Sequence, residues 1–280
     1  MVNHQVPQTY QEALEWMQKD HFYVMAGGTD LMIQKRSMAL TPPKMDRPCL
    51  FVFNLNELKY VNKRADGIAI GSMTSLETLL DHPDVPLVLK KVIGEMASPA
   101  LRYVATLAGN IANASPAGDS LLALYLLDAV VVLESLSRGI RKVPIEHFII
   151  GPRQTTIEPD EIIKEIHISD LRSERVTFVK VGGRKADAIS KVSFLALFEK
   201  QENRLEMFRL SIGAVAKTVI RDKEIERILT EQPIDQLKEN PEMVLTLYEP
   251  LIQPIDDQRS NKRYRKTVAL NLIKDFIDHL

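Results

Sequence analysis

The chain has 280 residues, 45% hydrophobic and 26% charged, a balance typical of a folded protein with a buried core. Its formal net charge of −1 gives no reason to expect nucleic acid or an anionic membrane as the main partner. Cys49 is the only cysteine, which excludes an intrachain disulfide, a cysteine-rich zinc site and a cysteine-ligated iron–sulfur cluster held by this chain alone.

The longest apolar stretch, residues 121–133, is interrupted by Asp128 and is shorter than the roughly 20 residues that cross a bilayer. The first residues lack the basic start and apolar run of a secretory signal. We therefore expect no membrane span and a cytoplasmic location. Because domains commonly have roughly 100–200 residues, we also expect two or three structural lobes.

In the first half of the chain, hydrophobic spacing predicts helices and strands in alternation. Helices are expected at 10–19, 31–38, 75–80 and 87–97, the third of them capped near Thr74 or Ser75. Strands are expected at 22–26, 49–55 and 68–71. Residues 106–119 show neither periodicity.

The second half is predicted to contain more strand than helix. A helix at 121–127 is followed by strands at 129–133, 161–168, 176–181, 192–198 and 205–215, the last two paired in a C-terminal sheet. Further helices are expected at 224–229 and 267–277. The basic run at 259–266 is interpreted as a solvated face, with contact to a partner subunit as a smaller possibility.

Residues 26–31, AGGTDL, lie between a predicted strand and a predicted helix. Glycine permits positive φ and close approach of a ligand to the backbone, and successive N–H groups that open onto a helix suit a phosphate. Thr29 adds a hydroxyl donor. The alternative is a turn in which glycine only relieves strain. The segment fits neither the GxGxxG nor the Walker A pattern.

A second segment, TLAGNIANASPAGD at 106–119, combines small residues with short hydrogen-bonding side chains. Small residues admit a flat or elongated ligand, and the Asn, Ser and Asp side chains suit ribityl and ribose hydroxyls. The alternatives are a polar surface loop, or an N-cap in which Asp119 opens the helix at Leu121.

Together, the two segments resemble the FAD-binding subunit of the xanthine dehydrogenase and aerobic carbon monoxide dehydrogenase family. The resemblance covers most of the chain, because further family-like stretches follow in order. They are IGSMTSLETLL at 70–80, LDAVVVLESLSRGIRKVPIEHF at 127–148, EIIKEIHI at 161–168, FVKVGGRKADAISKVS at 178–193 and PIDDQRSNKRYRKTV at 254–268.

The resemblance implies an α+β fold. It places a two-lobed FAD-binding domain of the PCMH/VAO type at 1–174, with lobes of about 1–55 and 56–174. A smaller C-terminal flavoprotein domain of antiparallel sheet and helices is expected at 175–280.

The resemblance also implies which residues bind FAD. The first loop is expected to hold the pyrophosphate through its backbone amides, with Ala26, Gly27, Gly28, Thr29, Asp30 and Leu31. The second loop is expected to wrap the other side of the dinucleotide through Thr106, Gly109, Asn110 and Ser115.

Four further residues have implied roles at the cofactor. Asp119 is expected to bond a cofactor hydroxyl, and Ala112 and Ile163 to lie beside the isoalloxazine or the adenine. Lys180 is expected near the flavin end, where its charge would stabilise the reduced flavin. The alternative for Lys180 is a solvated strand residue paired with an acid.

Membership of this family implies a division of labour between subunits. The molybdenum cofactor and 2Fe–2S clusters are expected on two partner subunits, assembled with this chain as a dimer of heterotrimers. Electrons would pass from the clusters through FAD to NAD or another acceptor, and no catalytic or metal-binding residue is expected here. The alternatives are a stand-alone flavin oxidoreductase and a non-catalytic FAD- or nucleotide-binding assembly subunit.

Two positions depart from the family pattern. Ala108 replaces the first of two glycines before the asparagine, and binding is expected to survive because alanine is small. Tyr103 replaces the asparagine that usually follows Arg102.

The sequence shows no sign of a metal site or of an acyl hydrolase. The histidines lack metal-ligand spacing, and no GxSxG turn is present. His167 is expected to be a structural or surface residue.

Overall fold

In a computed structural model of the chain, the described residues are 3–171, 173 and 175–280. Glu174, at the end of the expected FAD-binding domain, and Met1, at its start, lie outside them. The chain forms two compact units. The first takes in Met1–Val85, Ala97–Ala114 and Asp128–Asp170, and the second Pro86–Met96, Ser115–Leu127 and Leu171–Leu280.

The strands follow one another along the chain as β1 to β13. They are β1 His4–Gln5, β2 Tyr23–Met25, β3 Cys49–Phe51, β4 Val61–Arg64, β5 Gly67–Gly71, β6 Val130–Ser135, β7 Gly139–Pro144, β8 Ile149–Gly151, β9 Gln154–Thr155, β10 Ile162–Ser169, β11 Val176–Val181, β12 Val192–Gln201 and β13 Arg204–Gly213.

The α-helices are numbered in the same way. They are α1 Tyr10–Lys19, α2 Leu31–Gln34, α3 Leu76–Asp81, α4 Leu87–Gly94, α5 Pro99–Arg102, α6 Leu107–Asn113, α7 Asp119–Leu126, α8 Ile145–Phe148, α9 Lys223–Thr230, α10 Ile234–Glu239, α11 Pro241–Tyr248 and α12 Lys262–Asp278. Asn56–Leu58 and Glu249–Leu251 are single 3₁₀ turns.

The first unit is built on a parallel sheet in the order β1-β3-β2 and a five-stranded antiparallel sheet in the order β4-β5-β10-β6-β7. Helix α1 begins after Thr9, whose hydroxyl accepts a hydrogen bond from the Glu12 N–H. Its buried face, Ala13, Leu14 and Met17, packs into a core with residues of β3 and the start of β10. Helical spacing therefore turns one apolar stripe of α1 inward.

The second unit is built on an antiparallel sheet in the order β11-β12-β13. Phe276 of α12 contacts the rings of Phe194, Phe198 and Phe208 at centroid distances of 5.7 to 5.9 Å, in edge-on and tilted arrangements. Helices α9, α10 and α11 contribute buried residues to the same core. The α+β class expected from the sequence is confirmed.

Three local expectations were wrong. Residues 107–113 form α6, which lacks a hydrophobic period because most of its residues are alanine, glycine or asparagine. The helix expected to reach residue 38 ends at Gln34, because α2 has no buried residue to anchor further turns. Within the basic run expected to be solvated, Arg265 is only 4% exposed and belongs to the buried face of α12.

Candidate functional site

The first glycine loop joins β2 to α2 and requires both of its glycines. Gly28 has φ +67°, in the left-handed region that side chains disfavour. A Cβ on Gly27 would lie 2.0 Å from the carbonyl oxygen of Val104, so the two backbone segments touch without room for a side chain. With only four residues, α2 contributes little helix dipole. The groups that this loop offers to an anion are therefore its backbone amides.

The second segment is organised around α6. The Thr106 side chain caps this helix by accepting a hydrogen bond from the Gly109 N–H at 3.0 Å. Ala114 ends it in the left-handed region, with φ 45°. From the first loop, Gln34 Nε2 donates to Asn113 Oδ1 at 2.5 Å, so α2 and α6 are tied together at their ends.

A pocket with about 470 Å³ of empty space, part of it open to solvent, brings residues of both segments together in the first unit. Its walls include predicted site residues from both segments and from β10, namely Ala26, Thr106, Gly109, Ala112 and Ile163. The other predicted residues of the first unit do not line it, namely Gly27, Gly28, Thr29, Asp30, Leu31 and Asn110. The remaining lining side chains are apolar apart from Ser72 and Glu161.

Glu161 is a polar residue of this pocket that the sequence did not reveal. Its carboxylate is 3% exposed and accepts hydrogen bonds from Arg141 Nε at 2.6 Å and Nη2 at 2.7 Å. Burial alone would raise the pKa of Glu161, but hydrogen bonds from Arg141 and from the Glu158 N–H outweigh it, and the pKa is lowered. The pocket is therefore bordered by an ionised carboxylate whose acceptor capacity is already used.

In the second unit, Asp119 and Lys180 form a buried ion pair. Lys180 Nζ lies 2.9 Å from Asp119 Oδ2, and the two side chains are only 8% and 6% exposed. Ser190 Oγ donates to Asp119 Oδ1 at 2.6 Å, and Lys180 Nζ also donates to the Glu95 carbonyl at 2.9 Å. Both charges are thus compensated by direct partners, as buried charges require.

These partners correct two expectations. Lys180 is paired with an acid, but it is buried rather than solvated. Asp119 is the first residue of α7 and not its N-cap, which is Gly118. Ser115, also predicted in the site, accepts a hydrogen bond from the Ala117 N–H at 3.3 Å. Ser190 and Glu95 were missed, because nothing in the sequence marks them as neighbours of Asp119 and Lys180.

The residues of the first unit fit FAD on two counts. Gly27 and Gly28 carry no side chain that could cover the loop amides expected to face a pyrophosphate. Alanine and glycine at 108, 109 and 112 leave a flat, apolar wall on α6. Among the described residues, no group of three or more His, Cys, Asp or Glu side chains is arranged to hold a metal.

Two protein families match consecutive parts of the chain. The family described as the FAD binding domain in molybdopterin dehydrogenase matches residues 1–169. The family described as the CO dehydrogenase flavoprotein C-terminal domain matches residues 177–280. Together the two matches account for nearly the whole chain.

Curated proteins of similar length are similar throughout. The glyceraldehyde dehydrogenase medium chain of Sulfolobus acidocaldarius is 29% identical over 271 residues, 94% of this chain and 92% of that protein. The putative xanthine dehydrogenase FAD-binding subunit of Escherichia coli K12 is 30% identical over 257 residues, 90% of this chain and 84% of that protein.

Solved structures share the fold. Quinoline 2-oxidoreductase from Pseudomonas putida 86 matches with a TM-score of 0.87 at 22% identity, covering 99% of this chain and 95% of that one. Reconstituted CO dehydrogenase from Oligotropha carboxidovorans matches with a TM-score of 0.86 at 21% identity, covering 98% and 96%.

The chain belongs to the family of FAD-binding flavoprotein subunits of molybdopterin-dependent dehydrogenases. It is an FAD-binding oxidoreductase subunit of the medium type found in molybdenum hydroxylases. Among the described residues, no helix is both long enough and apolar enough to cross a membrane.

Proposed function

We propose that this chain is the electron-transferring FAD subunit of a cytoplasmic molybdenum hydroxylase. When bound, FAD would take electrons from 2Fe–2S clusters on one partner subunit and release them to NAD or another acceptor. The organic substrate would react at a molybdenum cofactor on a second partner, in a dimer of heterotrimers. The observation that carries the proposal is the convergence of two glycine-bearing segments on one pocket, in a chain whose only cysteine cannot ligate a cluster by itself.

For the cofactor, the proposed roles follow the geometry of each segment. The amides of 26–31 would face the pyrophosphate, and Gly27 and Gly28 present no side chain there. Thr106, Gly109, Asn110 and Ser115 would follow the dinucleotide. Ala112 and Ile163 would pack against a ring, and both line the pocket.

In the second unit, Asp119 and Lys180 are proposed to contact the cofactor as a pair. Asp119 would accept a hydrogen bond from a hydroxyl, which its contacts with Ser190 and Lys180 orient it to do. The positive charge of Lys180 is largely balanced by Asp119, so its effect on a reduced flavin is weaker than that of an unpaired lysine. We propose that Lys180 mainly holds the Asp119 carboxylate in place.

The proposed domain division remains 1–174 and 175–280, with lobes of about 1–55 and 56–174 in the first domain. It is supported by the separate family matches to 1–169 and 177–280.

The test has two arms. The full chain is purified and titrated with FAD while flavin absorbance and fluorescence are followed; saturable binding is expected, and its absence would contradict the proposal. The chain is then co-purified with its partners, whose metals are measured. In that complex, substrate should reduce the flavin in stopped-flow experiments. Turnover of a small substrate by the chain alone would favour a stand-alone oxidoreductase, and bound FAD that is never reduced would favour an assembly subunit.

A further inference from the structure

Arg265 is a buried arginine that the proposed electron-transfer role does not use. It follows the exposed residues 262–264 on α12 and is itself 4% exposed. Its Nη1 donates to the carbonyl of Ala214 at 2.8 Å and to that of Lys191 at 2.9 Å, and its Nη2 lies 2.7 Å from Asp257 Oδ1. One flat guanidinium therefore fixes two backbone segments that are distant in sequence, as its rigid fork of donors allows.

The first of these segments follows β13. Ala214 has φ 64°, a conformation that disfavours a side chain, and its N–H donates to the carbonyl of Pro116 at 2.8 Å. Just before it, a Cβ on Gly213 would lie 2.5 Å from Ser193 Oγ and 2.8 Å from Leu122 Cδ1. The chain is thus pressed against the segment that leads into α7 and Asp119. Arg265 holds the carbonyl of the strained residue that makes this contact.

The second segment precedes β12. The carbonyl held by Arg265 belongs to Lys191, the residue after Ser190, whose hydroxyl donates to Asp119. The N–H of Lys191 donates to the carbonyl of Val181, the residue after Lys180, at 2.8 Å. The carbonyl that Arg265 holds therefore belongs to the residue next to Ser190, which is a partner of Asp119.

From these contacts we infer that Arg265 is a positioning residue for FAD. It orients the Asp119–Lys180 pair by fixing the backbone at Lys191 and at Ala214, and it does not touch the cofactor. The inference rests on the proposed role of Asp119 and Lys180 at FAD. Asp257 forms an ion pair with the guanidinium, and we assign it to the stability of the fold rather than to the positioning of the Asp119–Lys180 pair.

The first test compares Arg265→Met with Arg263→Met in the full chain. Arg263 is an exposed residue two positions away on the same helix, so the same change there removes a charge without these contacts. FAD is titrated at a temperature at which circular dichroism shows each variant folded. Arg265→Met should bind FAD about tenfold more weakly, because charged hydrogen bonds are lost, and Arg263→Met should stay within about twofold of wild type. Equal affinities in all three proteins would overturn the inference.

A second measurement separates positioning from general stabilisation. In a double-mutant cycle, the losses of FAD affinity caused by Ser190→Ala and Arg265→Met should not be independent. The double variant should bind FAD at least about threefold more tightly than expected from multiplying the two single losses. Independent effects would contradict the inference. Asp257→Asn should lower the melting temperature yet keep FAD affinity within about twofold of wild type. If it weakens FAD binding as much as Arg265→Met does, the ion pair and not the carbonyl contacts carries the effect, and the inference fails.

Should Arg265→Met not fold, Arg265→Lys is the remaining test. Lysine keeps the charge opposite Asp257 but lacks the planar fork that reaches both carbonyls and the carboxylate at once. The variant should fold and bind FAD more weakly than wild type, and wild-type affinity would refute the inference. If the wild-type chain itself binds no FAD, the proposed function fails first, so the two failures are distinguishable.

Discussion

The pocket of the first unit and the ion-pair cluster of the second use opposite chemistry. The pocket is made of backbone, alanine, glycine and aliphatic side chains, with the carboxylate of Glu161 already bonded to Arg141. The cluster is made of two buried charges, Asp119 and Lys180, whose partners come from distant parts of the chain. Under the proposed function, the first region would therefore recognise FAD by shape and by the backbone amides of the neighbouring glycine loop, and the second by fixed charge.

This difference predicts which substitutions should be most damaging in each region. A shape-based site is sensitive to added volume and tolerant of lost charge, because its contacts are steric. A buried charge cluster is sensitive to the loss of one partner, because the other charge is then left without compensation in a poorly solvated place.

The largest expected effect is in the charge cluster. Asp119→Asn leaves Lys180 buried without its counter-ion and should lower the free energy of unfolding by about 3–5 kcal/mol. The matched control is Asp278→Asn, which removes the acid from an exposed pair with Lys274. It should change the free energy of unfolding by less than about 0.5 kcal/mol. Urea unfolding of both variants measures the contrast.

Adding Lys180→Met to Asp119→Asn should recover part of the lost stability, since the uncompensated charge is then gone. If the two single changes are simply additive, the pair does not act as a unit, and the description of the second region as a charge cluster is wrong.

The second effect is steric and belongs to the pocket region. Gly27→Ala places a methyl group 2.0 Å from the Val104 carbonyl oxygen, so one backbone segment must move. We expect about 1–3 kcal/mol of destabilisation and FAD binding weakened by about tenfold or more. Gly94→Ala is the control, because its Cβ meets nothing within 4 Å. It should leave FAD affinity unchanged and stabilise the chain by about 0.4–1 kcal/mol. Similar melting temperatures and affinities for the two variants would show that the loop has room to spare.

Much of the fold could be predicted from the sequence where a helix or strand buries only one of its faces. Helix α1 and strand β11 have the bounds that their patterns predict, because α1 buries an apolar stripe and Val179 and Val181 of β11 pack against the second core. Helix α6 was not readable, because its alanines and glycine give no hydrophobic contrast and its main local signal is the Thr106 cap.

For the candidate site, the sequence indicated the two glycine-bearing segments but not the hydrogen-bond partners of the buried acids. The two glycine-bearing segments stand out locally, through glycine and short polar side chains. Arg141 lies 20 residues from Glu161, and Ser190 lies 71 residues from Asp119, so only tertiary structure brings them together. The buried position of Arg265 was hidden within a basic run that reads as solvated.

A third, smaller effect depends on pH. The pKa of Glu161 is lowered in the folded chain, so its ionised form adds stability that is present above its unfolded pKa and lost as pH falls through the folded value. Glu161→Gln should therefore destabilise by about 2 kcal/mol at neutral pH, with the difference shrinking once the pH falls below about 4.5. Glu158→Gln, at an exposed neighbour, should change stability by less than about 0.5 kcal/mol at every pH. Denaturant titrations from neutral to acid pH measure the stability of both variants. If Glu161→Gln destabilises the chain by the same amount at every pH, the charge of Glu161 is not what stabilises it.

The smallest effect concerns the departure from the family pattern at Ala108. Ala108 is 6% exposed and Ala112 is exposed, although both line the pocket from α6. Replacing either with glycine should cost about 0.5–1 kcal/mol of stability through helix entropy. Ala112→Gly also removes a methyl group that a ring can contact, so FAD binding should weaken roughly fourfold. Ala108→Gly should stay within about twofold of wild type, because the protein itself covers that methyl. A larger loss at Ala108 than at Ala112, measured by FAD titration, would mean that the ligand meets α6 one turn earlier and that the methyl of Ala108 shapes the pocket.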